Sequence, residues 1–258
     1  MEKVDSCLRR NDKIDDMDMN TPYLSIIIPA YNEEDRLPRT LPQVVHFIEA
    51  QSYGVEVIIV NNNSQDKTRQ IADKLAVEKP YIHVIDESTQ GKGAAVRTGM
   101  LAGKGEYLFI ADADLSMPIT EVVKFLPPQI EPYDVAIGSR EIEGAKRFDE
   151  PLYRHLMGRV FNMIVRVLAV PGFQDTQAGF KCFHRDRVQD ILTRQTIDGW
   201  AFDVELLFIA QQLGQKIVEV PINWHYRPNS RINPLQDSYN MLVEVWGIRQ
   251  KGKRGEYK

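Results

Sequence analysis

The chain predicts an α/β fold of three layers built on a mostly parallel central sheet. Three observations carry this: short β-branched runs alternate with helical patterns, no repeat or low-complexity linker interrupts them, and polar loops follow several of the apolar runs. The first strand is "LSIIIPA", followed by a helical pattern through Gln51. "VEVIIV" and a helix through Val77 follow, then "IHVI" and a helix through Leu101, then "YLFIA". Successive βαβ crossovers lay such strands parallel with both faces covered, so the first half is expected to form a Rossmann-like layer. With 258 residues, 43% of them hydrophobic, the chain can bury one large core.

A helix over "ITEVVKFL" is closed by Pro127 and Pro128, and "DVAIGSR" supplies the next strand. Past Arg140 the rhythm changes to a charged loop, a long apolar and basic helix from Tyr153 to Leu168, and a strand "GFKCF". Helices from Arg185 to Thr193 and from Asp203 to Leu213 come next, then a strand "KIVEVPINW". These fit a helical extension of one domain over residues 21–232. Residues 233–258 are expected to form an amphipathic helix, Pro234 to Arg249, and a basic tail. Residues 1–20 alternate charges around few apolar groups and are expected to be a disordered leader.

The net charge of -4 argues against a nucleic-acid partner, which would call for a basic surplus or a basic face. Two cysteines, Cys7 and Cys182, make a disulfide framework improbable and fit a reducing compartment. No window approaches 18 consecutive apolar residues, and the first 22 positions lack the apolar core of a signal peptide. A cytoplasmic location is therefore expected.

Ligands of open parallel sheets settle beyond the carboxyl ends of the strands, where "PAYNEED", "NNNSQDKT" and "DADLS" fall. Asp112 and Asp114 stand one residue apart there. Two carboxylates this close repel unless a cation neutralises them, and Mg²⁺ or Mn²⁺ is commonly held by such a pair plus phosphate oxygens. Alternatively Asp114 caps the following helix, or both are solvated turn residues. In "TQGKGAAVRTG", glycines flank Lys92 before a helix, an arrangement that suits an anion or a plain helix-entry turn. It matches neither a Walker loop nor a dinucleotide fingerprint.

Together these segments resemble family 2 glycosyltransferases of the GT-A fold, and within them the dolichyl-phosphate or polyprenyl-phosphate β-glucosyltransferases. The resemblance rests on "SIIIPAYNEEDRL", "GKGAAVRTGM", "GEYLFIADADLSMPI", "AIGSR", "DTQAGFKCF" and "WAFDVELLFIA", in that order. It implies nucleoside contacts from Pro29, Tyr31 and Glu33, a nucleotide-sugar contact from Lys92, and a metal pair in Asp112 and Asp114. Ser116 stands where some relatives place another metal ligand. Where the family usually has Asp-Asp-Gly-Ser, this chain has Asn61-Asn62-Asn63-Ser64. An amide such as Asn62 can pair with uracil but cannot offer two anionic acceptors to guanine, which favours a UDP-sugar donor.

The resemblance implies inverting transfer of a hexose, glucose in the relatives it points to, with Asp114, Asp203 and Arg140 as catalytic candidates. A lipid monophosphate, mostly a dianion at neutral pH, can attack unaided. A saccharide hydroxyl, the alternative acceptor, would need a general base. Asp203 is either a helix cap or, with Glu205, part of the acceptor side. Arg140 and then Arg154 are candidates to hold an acceptor phosphate, or ordinary salt-bridged arginines. Asp175, Thr176 and Gln177 form an acceptor-side wall or simply a turn. Arg227, Ser230 and Arg231 resemble a late basic loop that closes on the diphosphate. A remoter alternative is a phosphotransferase with Asp112 as nucleophile, although such enzymes place that motif on the first strand.

"LYRHLMGRVFNMIVRVLAVPGF" is apolar yet carries Arg154, Arg159 and Arg166, so it either lies in a membrane interface or packs in the core with its arginines in solvent. "LVEVWGIRQKGKRG" would suit an anionic leaflet or a solvated tail. With a lipid acceptor implied, peripheral attachment at the cytoplasmic face of the membrane is expected.

Overall fold

The computed structural model describes residues 21–227 and 234–257. The expected leader and the candidates Ser230 and Arg231 lie outside the described residues.

The first half follows the sequence closely. Strands β1 (Leu24–Ala30), β2 (Val55–Asn61), β3 (Ile82–Asp86) and β4 (Tyr107–Ile110) alternate with helices α1 (Leu37–Glu49), α2 (Thr68–Glu78) and α3 (Lys92–Ala102). Every residue of β2 and β4 is buried, as befits strands covered on both faces. Helix α1 turns Leu37, Leu41, Val44 and Ile48 inward, a stripe at helical spacing.

After a 3-10 helix (Ile119–Phe125) come β5 (Val135–Ser139), β6 (Lys146–Phe148), α4 (Leu152–Leu168), β7 (Lys181–His184), α5 (Arg185–Leu192) and α6 (Phe202–Gln212). Strands β8 (Ile217–Pro221) and β9 (Asn223–His225) and helix α7 (Pro234–Lys253) complete the described chain. The main sheet runs β3-β2-β1-β4-β7-β5-β8. Strand β7 is antiparallel to β4 and β5, and the other neighbours are parallel.

One core packs α1, Ala72 of α2 and the 3-10 helix on one face of the sheet. The other packs α3, α5 and α6 on the opposite face, with Val165 of α4 and Val245 and Ile248 of α7. Three layers result. The chain moves outward from β1 to β3 and then returns to the other side of β1 as β4, so the crevice opens at the carboxyl ends of β1 and β4.

Three expectations need correction, and on α4 one of two alternatives falls away. "KIVEVPINW" is two strands, because Pro221 has no N–H to continue the ladder, and β9 pairs instead with β6 from the supposed charged loop. "ITEVVKFL" winds as a 3-10 helix, with β-branched residues at four of its seven positions. Helix α7 runs past Arg249 to Lys253, and the turn after it returns Tyr257 to the core, 1% exposed and edge-on to Phe208. On α4 the apolar side faces outward, with Leu152, Tyr153, Leu156, Met157, Val160, Met163 and Val167 exposed. Arg159, itself exposed, pairs with Glu141 (2.6 Å), and Arg166 reaches Gln174 (3.3 Å). With Val165 its buried residue, α4 is not a core helix. Among the described residues no helix is long and apolar enough to cross a membrane.

Candidate functional site

Ala111 extends β4 by one rung, its N–H donating to the Ile27 carbonyl (2.9 Å), and the chain then turns sharply. Leu115 adopts φ 46°, its N–H donating to the Asp112 carbonyl, while the Ser116 N–H donates to Asp114 Oδ1 (2.9 Å). Asp114 thus closes the turn rather than capping the later helix, for which Pro118 precedes the first residue. The Ser116 carbonyl accepts from His225 N–H (2.7 Å), which ties this turn to β9.

Lys92, from the first position of α3, places Nζ 2.6 Å from Asp112 Oδ1. Burial would lower the lysine's pKa, but the carboxylates of Asp112, Asp203 and Asp114 outweigh it and push the ammonium up. The rings of Trp200 and Phe202 each lie 5.8 Å from Nζ. The flanking glycines serve a different purpose from the one expected. Gly91 adopts φ 146°, and a Cβ there or at Gly93 would overlap the backbone of residues 197–198. The Asp198 carbonyl accepts from Gly93 N–H (2.8 Å) and Ala94 N–H (3.3 Å), so these amides of α3 are spent within the protein. Any anion here meets the lysine, not an open helix terminus.

Asp203 is not a cap. Ala201 holds that position without a side-chain cap, and the Asp203 carboxylate accepts from the ammonium of Lys181 (2.8 Å). Lys181 is wholly buried in β7 and also donates to the Ala178 carbonyl (2.6 Å). Burial raises the Asp203 pKa, partly offset by Lys181 and Lys92. Glu205, two positions on and so about 200° around the helix, points away from this cluster. It accepts from Thr196 N–H (2.9 Å), Thr196 Oγ1 (2.6 Å), Ile197 N–H (2.8 Å) and Tyr257 OH (2.7 Å). The acceptor-side expectation for Glu205 is therefore corrected. Lys181 was missed in the sequence, where its one signal is a lysine inside an apolar strand.

Arg140 leaves β5 and meets Asp175 through two guanidinium bonds (2.6 and 3.0 Å) and a backbone N–H (3.1 Å). Burial would raise Asp175, but Arg140 prevails and holds its pKa at about 2. The guanidinium also lies 5.4 Å from the Trp224 ring. Arg140 is thus an anchored cation, with part of its donor set committed to Asp175. Gln177 N–H donates to Asp175 (3.2 Å) and its amide reaches Met241 Sδ (3.3 Å). In the same turn Gly179 passes so close to Asp112 that a Cβ would overlap the carboxylate. Arg154 stacks on Tyr226 at 5.0 Å, and Arg227 is exposed at the last described position before residue 228.

The nucleoside-side candidates line the carboxyl ends of β1 and β2. Pro29 is half-buried in β1 and Tyr31 is exposed beyond it. The buried Glu33 carboxylate pairs with Arg36 (3.1 Å), while its N–H donates to Thr68 (2.6 Å). Asn32 accepts from Gln65 N–H (2.7 Å), and Glu34 and Lys67 are linked likewise (3.1 Å), lacing the two loops together. Asn62 departs from expectation: its amide donates to the carbonyls of Glu87 (3.2 Å) and Thr89 (2.7 Å) and accepts from Gly91 N–H (2.8 Å). It staples the loop before Lys92 and has no donor left over for a base.

With this geometry in place, comparison with known proteins is decisive. The sequence profile described as Glycosyl transferase family 2 matches residues 25–192. The chain belongs to this glycosyl transferase family. A dolichyl-phosphate beta-glucosyltransferase of Drosophila melanogaster is 37% identical over 242 residues, covering 86% of this chain and 74% of the relative. That of Homo sapiens is 32% identical over 256 residues, covering 93% and 79%. Among solved structures, Mycobacterium tuberculosis glucosyl-3-phosphoglycerate synthase in complex with Mn²⁺, UDP-glucose and phosphoglyceric acid superimposes with a TM-score of 0.64. It shares 18% identity, covering 89% of this chain and 80% of that one, and supports the GT-A fold.

For this family 2 glycosyl transferase, Asp112 and Asp114 are the candidate ligands of a divalent metal, each with one oxygen already engaged, by Lys92 and by the Ser116 N–H. Among the described residues no group of three or more His, Cys, Asp or Glu converges into a closed cage. Two carboxylates at an open edge fit a hard cation that takes its remaining oxygens from water and a diphosphate, and do not fit a structural metal.

Proposed function

We propose that the enzyme transfers glucose, with inversion, from UDP-glucose to the phosphate of a dolichyl or other polyprenyl phosphate at a membrane surface, with Mg²⁺ or Mn²⁺ at Asp112 and Asp114. The observation that carries this is the cluster of Lys92, Asp112, Asp114 and Asp203 at the edge where β4 ends, in a chain whose curated relatives are named dolichyl-phosphate beta-glucosyltransferases. The glucosyl group and the lipid acceptor come from those relatives. Uracil is favoured over guanine because Asn61, Asn62 and Asn63 offer no carboxylate to a guanine edge.

A bound divalent cation would neutralise the departing diphosphate, where negative charge develops. Lys92 supplies a second positive charge on the same side, and its contact with Asp112 fixes where that charge stands. Pro29 and Tyr31 frame the nucleoside end, with Glu33 and Asn62 holding the loops beneath it. Across the crevice, Arg140 offers the acceptor phosphate the guanidinium edge not taken by Asp175. Gln177 and Arg154 belong to this side, while Arg227 is assigned to the donor diphosphate. A phosphate dianion attacks without a base, so Asp203, held on Lys181, orients the acceptor and limits its approach to the anomeric carbon.

The test is incubation with Mn²⁺ and a panel of UDP- and GDP-sugars, with and without a short polyprenyl phosphate. A glucosyl-phospholipid formed from UDP-glucose is the expected product. Asp203→Asn should then raise the acceptor KM more than it lowers kcat. Near-total loss of kcat with donor binding intact would instead indicate a hydroxyl acceptor and Asp203 as its base.

A further inference from the structure

Residues 195–202 form a strap that touches Lys92 on one side and the segment after α7 on the other. On the Lys92 side, both backbone groups of Gly93 are held: its N–H donates to the Asp198 carbonyl (2.8 Å) and its carbonyl accepts from Gln195 Nε2 (3.0 Å). Trp200 and Phe202 set their rings beside the Lys92 ammonium. The strap therefore holds the backbone of the residue next to this lysine and walls in its ammonium, which Asp112 binds directly. On the far side, Glu205 holds the strap by Thr196 and Ile197, and Lys251 donates to Thr196 Oγ1 (2.6 Å). The Glu205 carboxylate is fully buried, and it also accepts from the Tyr257 hydroxyl at 2.7 Å. A buried carboxylate is costly unless its hydrogen bonds are satisfied, so the phenol completes this anchor.

We propose that Glu205 and Tyr257 are positioning residues for Lys92, so that the segment after α7 helps set the geometry of the donor side. The inference rests on the reading of Lys92 as the lysine of the donor diphosphate. Neither residue touches the crevice itself. Removing the phenol hydroxyl leaves one Glu205 lone pair without its donor and loosens the strap where it meets Gly93. Misplacement of a charged group by a fraction of an ångström is enough to weaken its grip on a diphosphate.

The experiment uses the full chain carrying Tyr257→Phe or Glu205→Gln and has two readouts. The first, independent of turnover, is the rate at which an amine-reactive reagent modifies Lys92, followed by mass spectrometry and normalised to the exposed Lys74 and Lys146. Both variants should label Lys92 several-fold faster than the wild type. The second is kinetic: the UDP-glucose KM should rise several-fold with little change in kcat, and Tyr257→Phe should add nothing further to a Lys92→Met enzyme. Should Glu205→Gln not fold, Tyr257→Phe decides alone. Unchanged Lys92 labelling, or additive KM effects in the Lys92→Met background, overturns the proposal. Faster labelling in a protein that binds no nucleotide sugar would sustain the strap and refute the donor reading instead.

Discussion

At Gly179 the chain runs against the Asp112 carboxylate, and any side chain would push one of the two aside. The nearest atoms are the carboxylate of a candidate metal ligand already paired with Lys92, so the cost falls on function more than on folding. Gly179→Ala should lower kcat by about 100-fold, the usual penalty for a shift of roughly 1 Å at a reacting centre. Thermal unfolding should show a loss of only a few degrees, corresponding to about 1 kcal/mol. Lys181 makes a complementary case. Replacing it by Met leaves Asp203 buried without its cation, which costs about 3–5 kcal/mol. Chemical denaturation measures this directly, and a stability equal to wild type would mean that the pair does not hold as described.

Between β5 and β7 the acceptor-side segment is pinned at two points, Asp175 on Arg140 and Lys181 on Asp203. The first gives a pH signature. The Asp175 carboxyl falls from an ordinary 3.8 to about 2 on folding, so its ionised form favours the folded state. The contribution, roughly 2 kcal/mol, is fully present above about pH 4 and is lost as pH falls through 2. Urea midpoints measured from pH 6 to pH 2 should decline less steeply in Asp175→Asn, which is itself destabilised at neutral pH by the unpaired Arg140. Such pins also mark where sequence reading stops. Strands β1, β2 and β4 were legible as continuous apolar, β-branched runs and helix α1 as a stripe at helical spacing, and Asp112, Asp114 and Lys92 because loops at strand ends collect polar groups. The three-residue strands β6 and β9 are too short to carry a period. Partners such as Lys181 and Asp203, or Glu205 and Tyr257, are joined only by the folded chain, so nothing local announces them. The glycines beside Lys92 pointed to a close approach, but not to the strap that makes it.

Over the whole molecule, α4 and α7 lie side by side and leave apolar surface uncovered. Leu156, Val160 and Met163 on α4 and Tyr239, Val243 and Trp246 on α7 are exposed. Large patches of this kind mark interaction surfaces, and the proposed lipid-phosphate acceptor would place the reacting edge near a bilayer. Leu156→Glu combined with Met163→Glu should reduce cosedimentation with vesicles of phosphatidylcholine and phosphatidylserine while leaving thermal stability unchanged. Equal vesicle binding would remove α4 from the membrane contact. At the centre of the proposed mechanism stands a divalent ion joining two neighbouring carboxylates to a nucleotide diphosphate. Calorimetric titration of UDP into the protein with Mn²⁺, and again after chelation, tests that claim most directly. Binding should need the metal and be lost in Asp112→Asn and Asp114→Asn; binding of equal strength without metal, or undiminished in both variants, would rule out a metal-tethered diphosphate.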